Sequence, residues 1–491
     1  MGDQNTIIGE AELRHILKRT GFGPAAKDMK RAKKMIGLTR GDAADYLLGL
    51  KRKVLQAKGK EAIDVHRKWV KHLTKGKTPF LDKTVLFFHD HFSVQASVVE
   101  NYPEAITQHL RMHYTYALGN FKDYCKAVNK DPAMMVFLDT VLNHKEIPNE
   151  NYPRELCELF TLGVYDLNGV ENYTQKDVVQ IARAFTGWSI DQNQQLAYLE
   201  SDDHDTMAEY PSRGPKVLFD NAHGFPSGGE SFTMGGEGEN EIDEVIEILF
   251  AHLDSDGMNT VARRTAFRLL EFLCYAKPAK AIVDAVVADS SFELNWSIDQ
   301  LIRAIVVHDV FYETMAPAPH TALTKKSVKW PIDYIVGTLR MLKMKPRGKE
   351  LEIPGGGYDE ITEHETNMGQ LIGEPPSVFG WDWEGGWISS STLLARYTFA
   401  RDLINARTKG RFKPLKHIDN DLTDPGEIVD AITAALNIAD QLTAAERTEL
   451  IEYLTDNGAN PILNLDDDVT VDLKIHGAFG LAMQSAAFQL H

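Results

Sequence analysis

Residues 82–96, "DKTVLFFHDHFSVQA", decide how this chain is to be read. The stretch is apolar enough to lie at the centre of a fold, yet it carries two histidines, His89 and His91. Two positions apart, they would share one side of a strand but point to opposite sides of a helix. The neighbouring sequence argues for helix. "AELRHILKR" places Leu13, Ile16 and Leu17 on one stripe, and "EAIDVHRKWVKHL" and "EAITQHLRMHYTYALG" repeat that period on either side of the central stretch. "TQKDVVQIARAFTGW" opens with Thr174 and has Asp177 three residues on, a capping-box pattern that starts a helix after Tyr173. The expected class is all-α or nearly so, a multi-helix globular bundle.

Periodicity vanishes twice. Residues 191–242 carry "DQNQQ", "SDDHD" and "SGGESFTMGGEGEN" and read as an irregular excursion or flap. Residues 346–392 form a second Gly/Pro/Trp-rich loop zone ending in "PPSVFGWDWEGGWISSS". These zones divide the chain into helical regions at 1–190, 243–345 and 393–491, expected to form one integrated unit. At 491 residues the chain exceeds the usual size of one hydrophobic core.

Composition excludes several classes. No apolar run approaches the ~20 residues a membrane-spanning helix needs, and Asp139 interrupts the nearest candidate, "AMMVFLDTVL". The amino terminus has no basic segment followed by an apolar one, so the expectation is a cytoplasmic protein, or an exported one whose leader was removed. Cys125, Cys157 and Cys274 are too few and too scattered for a disulfide framework or a cysteine zinc site, and read as buried thiols. The net charge of −17 is uneven. Through Lys83 there are 20 basic and 9 acidic residues, net +11; the remainder holds 33 and 61, net −28. A solvated helix face accounts for the basic part; docking of an acidic protein partner is the functional alternative. Nucleic acid is not expected, because aromatic stacking residues are not interleaved with the basic ones.

Residues 147–163, "IPNENYPRELCELFTLG", crowd Glu150, Arg154, Glu155 and Glu158 around a helix start. Asn149 or Asn151 can cap it, Pro153 is tolerated in its first turn, and Gly163 closes it. Arg154 and Glu158, four apart, can pair. Glu155 and Glu158, with Glu150 just before them, can bind a cation, act as acid and base, or simply bridge to another helix. "HLRMH" places His109 and His113 at i, i+4 on one helix face, the spacing of a zinc or iron site, although the glutamate of the metalloprotease motif is missing. Trp381 and Trp387, on a glycine-rich loop, offer a ligand platform of the kind that holds sugar rings; the plainer reading is that they plug the core.

The motifs resemble those of the bacterial domain of unknown function 1800 family, almost end to end. "HILKRTGFGP" is similar to its opening block, "FFHDHF" to F-W-H-N-H-F, "DPAMMVFLD" to D-P-A-M-L-x-Y-L-D, and "PNENYPRELCELFTLG" to P-N-E-N-Y-A-R-E-L-L-E-L-F-T-L-G. "YTQKDVVQIARAFTGW", "PPSVFGW" and "AAFQLH" continue the likeness. The family's central H-D…K-x-x-x-G region departs here, its counterpart being "FDNAHGFPSGG", with Gly224 after His223 and no lysine. The resemblance implies no established activity. It implies frequent export and a sulfatase-like neighbour as partner, and it points to His89, His91, Glu150, Arg154, Glu155, Glu158, Thr174, Asp177 and Arg183 as a network shared by three helices.

Three functions follow as expectations. One is a metal-assisted enzyme, a hydrolase or oxidoreductase, with a divalent metal held by His89, His91, His113 and Glu150. Its catalytic groups would be Glu155, Glu158, Arg154, Arg183 and Asp177. The second is a non-catalytic scaffold or partner protein in which the same charges are structural. The third is a saccharide-binding module built on Trp381 and Trp387.

Overall fold

The helix Pro79–His91 is buried at every one of its positions in the computed structural model. Pro79 occupies its first turn, where the missing N–H costs nothing. It stops at His91 rather than continuing to Ala96, and after a turn at Phe92 residues 93–95 leave as coil. Around it pack Ala62–Lys75, Pro103–Tyr116 and Thr260–Leu273, amphipathic helices with a buried stripe, and Pro331–Met341, which is itself buried throughout. One continuous hydrophobic cluster runs from Ile8 to Phe488 and joins all three helical regions. The structure describes residues 4–50, 54–55, 61–76, 78–191, 193, 195–206, 209–220, 224–231, 238–313, 315, 327–346, 361–405 and 412–491.

The fold is predominantly helical. Among the described residues, sheet is limited to two antiparallel two-stranded pieces, Trp188–Ile190 with Ala197–Leu199 and Val217–Leu218 with Glu230–Ser231. Both involve described residues of the 191–242 stretch, which also holds the 3-10 turns Ser201–Asp203 and Pro211–Arg213. Of "FDNAHGFPSGG", residues 221–223 lie outside the described residues. In the second loop zone, the short helix Ile361–Asn367 and a 3-10 turn, Glu384–Trp387, break up the coil. Among the described residues, no helix is long and apolar enough to cross a membrane.

The 147–163 block departs from a plain α-helix. It begins as Asn151–Glu155 with Glu150 at the cap position, while Asn149 Oδ1 accepts the Asn151 N–H at 2.9 Å. The helix then widens into a π turn over Leu156–Thr161. Thr161 Oγ1 donates to Leu156 O, and Leu162 N and Gly163 N both donate to Cys157 O, at 3.0 and 2.9 Å. Gly163, at φ +82°, ends it, with Arg264 packed where a side chain would stand.

Asp90 fixes the tryptophan loop to the central helix. Its Oδ1 accepts the Trp381 N–H and its Oδ2 accepts Trp383 Nε1–H, both at 2.8 Å. Gly380, at φ +77°, lies directly against Asp90, so a side chain there would meet the carboxylate. Trp381 and Trp387 are only 4% and 3% exposed, Trp381 lying 5.5 Å from the His89 ring and Trp387 5.7 Å from Trp330. Neither offers an open face to a sugar, which removes the expected platform: the loop has no regular element to bury, and its tryptophans fill the core instead. Replacing Asp90 by Ala leaves one buried and one part-buried N–H donor without an acceptor, a loss of about 2–3 kcal/mol. Chemical denaturation is expected to show that loss together with a red shift of tryptophan emission; unchanged stability would mean the loop is held by packing alone.

Candidate metal centre

The i, i+4 spacing of His109 and His113 puts both rings on the inner face of Pro103–Tyr116, with centroids 4.3 Å apart. Each ring is held from behind. His109 Nδ1 lies 2.8 Å from Asp131 Oδ2, and the same carboxylate oxygen accepts the Met134 N–H at 2.9 Å as the cap of Pro132–Phe137. His113 Nδ1 meets the Tyr124 hydroxyl. The two Nε2 atoms face each other at 2.9 Å. His89 comes in from the central helix, its ring 6.1 Å from His109 and 5.8 Å from His113. Among the described residues, these three form the one group of three or more His, Cys, Asp or Glu able to hold a metal ion, with a ligand atom from each within 4.8 Å of the others.

Hydrogen-bond complementarity assigns the protons. With Asp131 ionised, His109 donates through Nδ1 and presents a lone pair on Nε2. His113 then carries its proton on Nε2 and accepts the Tyr124 O–H at Nδ1, giving an unbroken chain from Tyr124 to Asp131. If that proton sits on His113 Nδ1 instead, donating to the Tyr124 oxygen, both Nε2 lone pairs point at a common spot. A cation between them removes the repulsion, so the carboxylate and the phenol serve as the outer partners that orient ligating imidazoles. His89 fits less simply. Its Nε2 accepts the Gly373 N–H at 3.1 Å, which leaves the proton on Nδ1, a buried atom without a partner. Ligation by either nitrogen requires the Gly373 contact to yield, so His109 and His113 are set for a metal and His89 is a third ligand that must adjust.

Beside the trio lies a cavity of about 80 Å³ lined by His66, Trp69, His89, His109 and aliphatic side chains such as Ile106 and Leu371. That is room for a few waters or a small apolar group. Across it, His66 Nε2 meets Glu365 Oε2 at 2.8 Å, with both side chains buried. Burial raises the Glu365 pKa, against the pull of His66. His66 Nδ1 and Glu365 Oε1 have no hydrogen-bond partner.

The remaining expected site residues lie in separate arrangements. His91 leaves the opposite side of the central helix and donates through Nε2 to Phe160 O at 3.1 Å. Glu150 pairs with Arg154 at 2.9 Å and with Gln175 at 2.6 Å, near the surface. Arg154 therefore pairs backwards rather than with Glu158, whose Oε2 accepts the Tyr173 hydroxyl at 3.2 Å. The π turn breaks the i, i+4 register between Arg154 and Glu158. Asp177 takes the Thr174 N–H and the Phe219 N–H, both at 2.7 Å. Arg183 forms a two-pronged pair with Asp205, at 3.1 and 3.2 Å, and donates to Gly214 O. Glu155 is half-buried; burial, then Glu158, raises its pKa, and its Oε2 has no partner.

Nearly every motif block thus has a fixed place in one scaffold, and a family model covers the same extent. The model described as "Protein of unknown function (DUF1800)" matches residues 15–490. The chain belongs to this family. No curated protein and no solved structure matches it. In this DUF1800 chain the "FFHDHF" block supplies His89 to the trio and the "DPAMMVFLD" block supplies Asp131 behind His109, whereas the "PNENYPRELCELFTLG" block stands apart from it. His66 and Glu365 escaped sequence reasoning, since nothing but the fold relates residues so far apart. His109 was visible in "HLRMH".

Burial, above all, holds His89 and His91 down to about 3, with His109 adding to the effect on His89 and Arg268 to that on His91. Both must be neutral in the folded protein while the unfolded chain protonates them near 6.5. Their contribution is fully retained above pH 6.5 and is lost as pH falls from 6.5 toward 3, at about 1.4 kcal/mol per unit for each. Urea titrations of metal-free protein are expected to show stability falling steeply over that window, with a shallower slope in His91→Gln. A flat profile between pH 6.5 and 4 would contradict it.

Proposed function

We propose that this protein is a metal-assisted enzyme, a hydrolase or oxidoreductase, whose centre is the His89–His109–His113 trio. The observation that carries the reading is the pair of facing Nε2 atoms on His109 and His113, each ring oriented from behind by Asp131 or Tyr124. Three histidines beside a cavity are the donor set of catalytic zinc and of other borderline metals, with a position left for substrate or water. A divalent metal supplies Lewis acidity or an activated oxygen there.

The chain's own groups supply the rest. Glu365, as carboxylate, holds the proton of His66 on Nε2 and leaves the Nδ1 lone pair free to accept a proton, the arrangement by which a carboxylate orients a histidine base. The aliphatic walls exclude water and admit a small apolar portion of the substrate. The paired Glu150–Arg154 and Arg183–Asp205 charges favour, for those residues, the second reading of a structural network; they frame the scaffold rather than the reaction.

Metal analysis of protein purified without chelator is the test. One equivalent of divalent metal is expected, lost in His109→Gln and His113→Gln while far-UV circular dichroism is unchanged. His91→Gln should retain it. Asp131→Ala is expected to weaken the affinity by about 10- to 100-fold. A folded wild-type protein that neither carries nor takes up a metal would overturn the assignment.

A further inference from the structure

We infer that a second site, separate from the histidines, binds a small polyvalent anion. A cleft of about 460 Å³ lies where the carboxyl ends of Ala62–Lys75 and Pro331–Met341 meet the start of Ala26–Ala32. Six cations line it: Lys27, Lys71, Lys75, Arg340, Lys343 and Lys345. Asp28 is its one acidic residue. Residues from three separate segments thus bring a net +5 to the lining of a single concavity, six against one.

Local structure explains only part of this. Lys75 and Lys343 stand at or just past helix carboxyl ends, where a cation offsets the helix dipole. Arg340 is buried, pairs with Asp28 and donates to Leu73 O at 3.0 Å, so it joins two of the segments. Its Nε has no partner, nor does Asp28 Oδ1. Lys27, Lys71, Lys75, Lys343 and Lys345 form no ion pair with any described residue. Lys343 also pushes the pKa of the half-buried His417 down, after burial, so the excess positive field extends past the cleft. Five unpaired like charges around one concavity repel one another, and a bound anion relieves that repulsion.

Shape selects the occupant. An acidic protein would dock on a broad face, whereas this volume falls in the range of small-molecule clefts. The charge calls for two or more anionic groups, phosphoryl, sulfonyl or carboxylate, and the methylene stems of the lining lysines supply apolar surface for the part that links them. The basic character of the first 83 residues thus gathers, in part, at one place.

Fluorescence anisotropy of a pyrene trisulfonate dye, competed with inorganic pyrophosphate, tests this on the full chain. The dye is expected to bind saturably at one site, to be displaced by pyrophosphate and to be released by salt. In Lys71→Glu/Lys75→Glu binding should weaken by about tenfold. Both residues are exposed, and circular dichroism should confirm an intact fold. Lys68→Glu/Lys413→Glu, the same charge change on exposed lysines outside the cleft, should retain most of the affinity, and His109→Gln should bind as wild type. Equal loss in the two double variants, or absence of saturable binding, would overturn the proposal. So would adsorption to phosphatidylglycerol vesicles without binding of either soluble anion, since that would mark a membrane surface instead.

Discussion

The constraint on which this structure turns is the full burial of the helix Pro79–His91 together with the polar residues it carries. Asp82, Lys83, Thr84, His89, Asp90 and His91 are all inside. Left unsatisfied, such groups would cost several kcal/mol each, enough to cancel the net stability of a domain. Their partners come from across the chain. Asp82 receives His72 at 3.0 Å and Tyr114 at 2.8 Å, Lys83 pairs with Asp333, and Asp90 takes the tryptophan loop. His91 is satisfied by Phe160 O and His89 by the Gly373 N–H. The second loop zone and the π turn are thus tied to one central rod.

The same burial prepares the histidines. Charged imidazolium is expelled from an environment of this kind, so the His89 and His113 rings are held neutral and keep the lone pairs a metal requires. His113 is pushed well below its ordinary value by burial, then by His109 and His89. Tyr124 is pushed well above its own by burial, so it remains a phenol able to donate to His113 or to accept from it. The position between His109 and His113 is electrostatically frustrated when both present lone pairs, and one cation or one proton resolves it.

Helical class was legible because amphipathic period is a local property, as were the Thr174–Asp177 box and the close at Gly163. The i, i+4 relation of His109 and His113 was legible for the same reason, and so was the divergence of His89 from His91. What escaped depends on tertiary context. The π turn replaces the register on which an Arg154–Glu158 pair would rest, and no local signal marks where a helix will widen. Core burial is already the plainer sequence reading for Trp381, with Trp387 open either way, but the Asp90 bonds that draw their glycine-rich loop inward have no local signal. His66 and Glu365 are 299 residues apart and meet only because helix packing brings them to one cavity. A network across three helices, expected from motif density, resolves into several arrangements, because each charge found the nearest partner that burial allowed.

The central claim, that His109 and His113 are poised for a metal, is tested most directly by a crystal structure recorded with anomalous scattering above and below the edge of the metal found in solution. An anomalous peak is expected between the two Nε2 atoms, about 2.0–2.1 Å from each, with Asp131 and Tyr124 still hydrogen-bonded to the Nδ1 atoms. Density showing the rings still in direct Nε2–Nε2 contact near 2.9 Å, with no anomalous signal after soaking in zinc or iron(II), would contradict it.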